Sequence, residues 1–343
     1  MDTTELDYEL PASAIAQAPV EPRDSARLLV AGAPSGAVQH RTVADLPGLL
    51  DPGDLLVVND TRVIPARLHL RKPTGGAVEV LLLERRPEGH WEALVRPSRR
   101  VPDGTVLVPD APVGDDLTVE VGPVLGDDGR RAVTVHGGTD DDLAVLARVG
   151  EVPLPPYIHE PLADPDRYQT VYAQRPGSVA APTAGLHLTD AVLDACRRKG
   201  VRVATVDLQV GLGTFRPITA DRVEDHPMHA ERYRIPDDTL AALDAVTGQV
   251  VAVGTTVTRA LEAWALTGAA TDSTSLFIRD DFRFQVVDRL LTNFHVPRSS
   301  LLALVESFVG PRWKDLYRSA LDEGYRFLSF GDAMLLDRRD GVS

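Results

Sequence analysis

DPGDLLVVNDTR (residues 51–62) holds a Pro-Gly turn, a short apolar strand and an abrupt polar end. The same design recurs in VAVGTTVTR (251–259) and LLTNFH (290–295): an apolar strand that stops at several hydrogen-bonding side chains. In open α/β sheets, ligands bind in the crevice beyond the carboxyl ends of the strands. Three such ends in one chain point to a shared site at the edge of an α/β sheet. Asn59, Asp60, Thr61, Arg62, Gly254, Thr255, Thr256, Arg259, Thr292, Asn293 and His295 are its candidate residues. Gly254, Thr255 and Thr256 also open a helix, whose free N–H groups favour anionic groups. Helix capping by Thr and Asn is the plainer reading of any one of these ends.

Outward from these strings, strands alternate with helices. A helix capped by Thr189 is expected to run through Lys199 and end at Gly200, before a strand over 201–210. Further helices are expected over 238–246, 257–266, 300–309 and 313–323, and strands over 250–253, 284–291 and 326–330. Residues 69–150 differ: five short β-branched runs (77–83, 91–95, 105–108, 117–121, 131–135) are separated by PTGG, PDG, GDDG and HGG. That spacing predicts a small antiparallel barrel or sandwich. The expected architecture is a layered α/β/α domain built from residues 1–68 and 151–343, with a β-barrel domain inserted at 69–150.

The chain has 343 residues, 36 Lys plus Arg and 50 Asp plus Glu, a formal net charge of −14. Such acidity disfavours nonspecific coating of nucleic acid and leaves room for a local basic patch. Arg96, Arg99 and Arg100 (VRPSRRV) form the conspicuous basic knot of the β-rich segment, a candidate contact for a phosphate backbone. No run of about 18 apolar residues occurs, residues 1–10 lack a signal-peptide core, and Cys196 is the one cysteine. A cytoplasmic, monomeric protein without internal disulfides is expected.

Three loops complete the candidate site. APTAGLHLT (181–189) supplies Pro182, Thr183, Ala184, Gly185 and His187, the last just before a helix cap. VGLGTFRP (210–217) supplies Gly211, Gly213 and Thr214; it lacks the third glycine of a dinucleotide motif, and Pro217 interrupts the helix that would receive phosphates. HPMHAERY (226–233) puts His229, Glu231 and Tyr233 on one face of an extended strand, with His226 on the other, so a pocket wall is favoured over a metal site. Ser25, Ser178 and Ser299 lack the nucleophile-elbow pattern. An unperturbed imidazole titrates near pH 6.5, so a histidine among His187, His229 and His295 is the expected proton acceptor, with Asp60 as the carboxylate rival.

Taken in order, DYELP, IAQAP, RDSARLLV, PGDLLVVNDTRVIPARL, PLPPYI, RYQTVYA, VAAPTAGLHLT, VGLGTFRP, MHAERY, VAVGTTVTRALE, TNFHVP and YRFLSFGDAML carry a resemblance that runs nearly end to end. The sequence resembles the S-adenosylmethionine:tRNA ribosyltransferase-isomerase family of queuosine biosynthesis. The resemblance implies an α/β domain with an inserted β-barrel. It also implies transfer and isomerisation of the ribosyl group of S-adenosylmethionine onto 7-aminomethyl-7-deazaguanine in the tRNA anticodon, giving epoxyqueuosine, adenine and methionine. S-adenosylmethionine would be a consumed substrate, with no metal or redox cofactor. Three strings depart from the family pattern: LQVG with Gln209, RDDFRF with Asp280 and Asp281, and SSLLALVESF with Glu306. A ribosyl transferase for a small amine, or a non-catalytic RNA-binding module, are the alternative readings.

Overall fold

A computed structural model describes residues 1–32, 37–110, 117–126, 129–137, 142–211, 217–228 and 230–339. Contacts divide the chain into two compact units: Met1–Thr61, Pro155–Arg175 and Ala181–Ser343 form one, Arg62–Leu154 and Pro176–Ala180 the other. The character of the sequence had set the inserted segment at 69–150.

In chain order the strands are β1 (Arg27–Ala31), β2 (Val38–Thr42), β3 (Leu55–Asn59), β4 (Thr61–Val63), β5 (Arg67–Arg71), β6 (Ala77–Arg85), β7 (Trp91–Arg96), β8 (Thr105–Pro109) and β9 (Thr118–Val124). There follow β10 (Arg131–His136), β11 (Arg175–Ser178), β12 (Arg202–Leu208), β13 (Glu231–Arg234), β14 (Val250–Val253), β15 (Thr271–Thr274), β16 (Arg289–Asn293) and β17 (Ala333–Asp337). The helices are α1 (Leu46–Leu49), α2 (Asp142–Val149), α3 (Asp190–Lys199), α4 (Asp237–Asp244), α5 (Thr255–Thr267), α6 (Ser300–Val309) and α7 (Trp313–Asp322).

Among the described residues, the first unit holds a nine-stranded mixed sheet in the order β15-β13-β12-β3-β14-β16-β17-β1-β2. Its centre, β12-β3-β14-β16, is parallel throughout, whereas β17 runs antiparallel to β16. All five residues of β3 are buried, which requires cover on both faces. Leu56 and Val58 pack with Val192, Leu193 and Cys196 of α3 and with Leu46 and Leu50 around α1. Alternation turns Leu55 and Val57 to the other face, and α5 packs across β14, β12 and β3. Cys196, the lone thiol, is fully buried in this core.

Local chemistry sets the helix ends. Thr189 Oγ1 accepts from Val192 N–H at 3.2 Å to start α3, and Gly200 closes it at φ 94°. Asp190 in the first turn and Arg197, Arg198 and Lys199 in the last match the helix dipole. Ser299 caps α6 in the same way, through Leu302 N–H at 3.2 Å.

Two expected strands are corrected. Over 284–291 only the end is strand, as β16. Glu262 of α5 is fully buried, and its carboxylate accepts the N–H groups of Gln285, Val286 and Val287 at 2.8, 3.0 and 2.9 Å, so no sheet partner can take them. Residues 326–330 do not form a strand either: Leu328 adopts φ 71°, and the final strand is β17 instead. The second unit is a closed antiparallel barrel, β10-β7-β6-β5-β8-β9. It has six strands rather than five; β5 was missed because only Leu68 and Leu70 mark it as apolar.

Candidate active site at the strand ends

Because β12, β3, β14 and β16 are parallel, their carboxyl ends reach one edge of the sheet. Leu208, Asn59, Val253 and Asn293 are their last residues. Asn59 is fully buried and fully engaged. Its Nδ2 donates to Leu208 O at 2.9 Å, and its Oδ1 accepts from Leu208 N and Thr61 N, both at 3.2 Å. It locks β3 to β12. Asp60, the next residue, is 3% exposed; Oδ2 lies 3.5 Å from Arg175 Nε, while Oδ1 has no partner among the described residues. Burial raises its pKa above the usual carboxylate value, and Arg175 opposes the rise. Asp207 on β12 is pushed up as well, by burial and then by the charge of Asp60. Thr61 is buried beside them, whereas Arg62 is exposed and belongs to the barrel unit.

The Thr183–His187 turn follows Pro182 and packs against the ends of β14 and β16. Thr183 Oγ1 donates to Asn293 Oδ1 at 2.9 Å, and Asn293 Nδ2 lies 3.0 Å from His187 Nε2 and 3.4 Å from Asp332 O. A Cβ on Gly254 would lie 3.7 Å from Ala184 Cβ, and Gly254 itself sits at φ 94°. At Gly185 a Cβ would come within 2.0 Å of Tyr172 Oη, so only glycine lets that phenol lie on the turn. Gly254 opens α5 without a side-chain cap, and Thr255 and Thr256 follow it, both buried.

Glu231, Arg259 and Gly211 form a second cluster. The buried Arg259–Glu231 ion pair is completed by Arg259 Nε donating to Leu276 O at 3.1 Å and by Gly211 N–H donating to Glu231 Oε1 at 3.0 Å. It anchors the loop that leaves β12. Gly213, Thr214 and His229 lie outside the described residues.

His187 and His295, the two candidate histidines among the described residues, lack the near-neutral pKa expected of a base. Burial, then the charges of Arg326, Arg167 and Arg23, lower His187 to about 4. Burial alone lowers His295 to about 3. His295 Nε2 lies 3.0 Å from Thr292 Oγ1, its N–H donates to Tyr317 Oη at 3.0 Å, and its carbonyl accepts from Tyr8 Oη at 2.5 Å. It is tied to the aromatic cluster of Tyr8, Phe294 and Tyr317. His187 also lines a small cavity with Arg23, Arg167 and Ser329.

Arg175, Tyr172, Asp207 and Asp332 were not singled out by the sequence. Tyr172 stands in RYQTVYA and Asp332 in YRFLSFGDAML, two of the strings that carried the resemblance, but neither string indicates a role. Of the departures, Asp280 and Asp281 pair with Arg279 and Arg339, whereas Gln209 is held by its backbone N–H, which donates to Arg232 O at 3.1 Å as any residue there could. Burial raises Glu306 to about 6.

Residues 3–336 match the family described as queuosine biosynthesis protein. The chain belongs to that family. Relatives named S-adenosylmethionine:tRNA ribosyltransferase-isomerase include one from Rubrobacter xylanophilus, 50% identical over 338 residues and 98% of each chain. Another, from Thermus thermophilus, is 52% identical over 344 residues, covering 96% of this chain and 98% of the relative. The crystal structure of an S-adenosylmethionine tRNA ribosyltransferase from Thermotoga maritima matches at a TM-score of 0.55 and 37% identity, over 97% of this chain and 99% of that one. Family membership agrees with the mixed sheet and closed barrel. No helix among the described residues is long and apolar enough to cross a membrane.

Proposed function

We propose that this chain transfers and isomerises the ribosyl group of S-adenosylmethionine onto 7-aminomethyl-7-deazaguanine in a tRNA anticodon, in the cytoplasm. The observation that carries the reading is the single edge where parallel strands run out at Asp60, Gly254–Thr256 and Asn293, with the Thr183–His187 turn packed on it, in a chain of the queuosine family. The sulfonium acidifies the adjacent 5′ carbon, and a base removes a proton to give an ylide. Collapse of the ylide expels adenine. The aminomethyl nitrogen then attacks the sugar, and methionine leaves as the epoxide of epoxyqueuosine forms. Proton transfer and displacement carry every step, and S-adenosylmethionine is consumed as substrate.

Asp60 is the base in this reading, since burial raises its carboxyl and lowers both His187 and His295. Its Oδ1 has no partner among the described residues and its pKa is raised, so it holds a proton more readily than an ordinary carboxylate. The test is adenine release from S-adenosylmethionine with tRNA that carries the aminomethyl base, tRNA that lacks it, and small amines alone. Release that needs the modified tRNA is expected. Release driven by small amines without tRNA, or no release at all, would overturn the reading.

A further inference from the structure

The Thr183–Asn293–His187 chain has a fixed polarity. Asp332 O can only accept, so the Asn293 amide nitrogen must face it; the same nitrogen faces His187 Nε2. His187 is neutral at pH 7, so its Nε2 takes that N–H as an acceptor. Asn293 Oδ1 is thereby turned to Thr183 and engages its one hydroxyl proton. Thr183, only partly buried, has lone pairs left and no proton to give. Such an oxygen welcomes an N–H donor and repels a carboxylate or phosphate.

One residue along the turn, Ala184 meets Gly254 at the start of α5. This helix start is unusual in being buried and uncapped. Thr255 and Thr256 are 6% and 7% exposed, Gly254 offers no side chain, and the first intrahelical bond is Thr258 N to Gly254 O at 3.3 Å. Their N–H groups precede that bond, and Thr256 Oγ1 beside them has no partner among the described residues. Buried orphan donors of this kind mark an anion seat. A Cβ at Gly254 would stand 3.7 Å from both Ala184 Cβ and Thr256 Oγ1, between the two halves.

We infer that Thr183 and the α5 N-terminus together hold an α-amino-acid zwitterion, the methionine tail of S-adenosylmethionine. The ammonium lies on Thr183 Oγ1, and the carboxylate on the N–H groups of Thr255 and Thr256 and on Thr256 Oγ1. Asn293 and His187 are positioning residues that keep Thr183 an acceptor. The inference rests on the function proposed above and gives that site its orientation: the tail over β14 and β16, the reacting carbon toward Asp60.

The test compares two probes by calorimetry, S-adenosylmethionine and 5′-methylthioadenosine, which keeps the nucleoside and lacks both charges of the tail. Thr183→Val and Thr256→Val should each weaken S-adenosylmethionine by about tenfold or more and leave methylthioadenosine within about twofold. Thr183→Ser should restore the loss. Retained methylthioadenosine binding also certifies the fold of each variant. Unchanged S-adenosylmethionine affinity, or an equal loss for both probes, overturns the zwitterion seat alone. A wild-type chain that binds neither probe overturns the seat together with the proposed function.

Discussion

Asp60, His187 and His295 are shifted in opposite directions by one cause. Burial disfavours whichever form is charged, so it lifts the carboxyl and lowers both imidazoles. At pH 7 the histidines are neutral and hold protons too weakly to act as strong bases. A carboxylate with a raised pKa accepts protons above that value and loses the ability as pH falls through it. Adenine release should therefore show an acid limb above the ordinary carboxylate range, set by Asp60. Asp60→Asn should cost about 10²-fold in the chemical step. His187→Gln and His295→Gln should leave the limb at the same pH. Rate profiles at saturating substrates decide it; a limb that moves with either histidine returns the role to the imidazole. The strand-end polar residues were legible because a run such as LLVVND shows where a strand stops. Which of them bond within the sheet was not legible: Asn59 looks like Asn293 in sequence, yet both its amide oxygen and nitrogen bond to the backbone of Leu208. The expected pKa of a histidine failed for a related reason, since burial is a property of the fold.

At the scale of elements, the helices with good caps and the barrel strands bounded by Gly-rich turns were readable from local pattern. The failures fell where a distant side chain overrode it. Residues 284–288 read as strand in isolation, but Glu262, on α5, takes three successive backbone donors and holds them in an irregular turn. Residues 326–330 were equally apolar, but Leu328 enters the left-handed region and the chain turns there. An amide at position 262 has one acceptor where the carboxylate has two, and its NH₂ would oppose a backbone N–H. Glu262→Gln should thus destabilise the fold by about 2 kcal/mol, read as a lower urea midpoint at an unchanged m-value. An unaltered midpoint would mean that the three N–H groups find water or other acceptors at no cost.

For the whole molecule, an acidic chain of net charge −14 must approach a polyanion through a local surface. Arg96, Arg99 and Arg100 are all exposed on the barrel unit, at the short turn Ser98–Arg100. Buried Arg131 braces that turn through Val101 O at 3.1 Å and Ser98 Oγ at 3.4 Å. The bracing guanidinium leaves the three outer ones projecting from a fixed loop. Replacing all three with Ala should weaken tRNA binding and reduce the slope of log K against log salt by about 2, with adenine release at saturating tRNA unchanged. Filter-binding titrations at several salt concentrations measure both; an unchanged slope would leave these arginines as a solvated turn.

The sheet order has a consequence for the life of the chain before it is finished. β17, the most C-terminal strand among the described residues, is an interior one, lying between β16 and β1, and the Asp332 carbonyl that orients Asn293 immediately precedes it. While the nascent polypeptide is still short of residue 337, β1 and β2 have no neighbour in the sheet but each other, and Asn293 lacks the acceptor that sets its amide. The substrate edge is thus completed only once residues 332–337 are in place. A product cut short of residue 332 carries Thr183, His187 and Asn293 without the carbonyl that orients them.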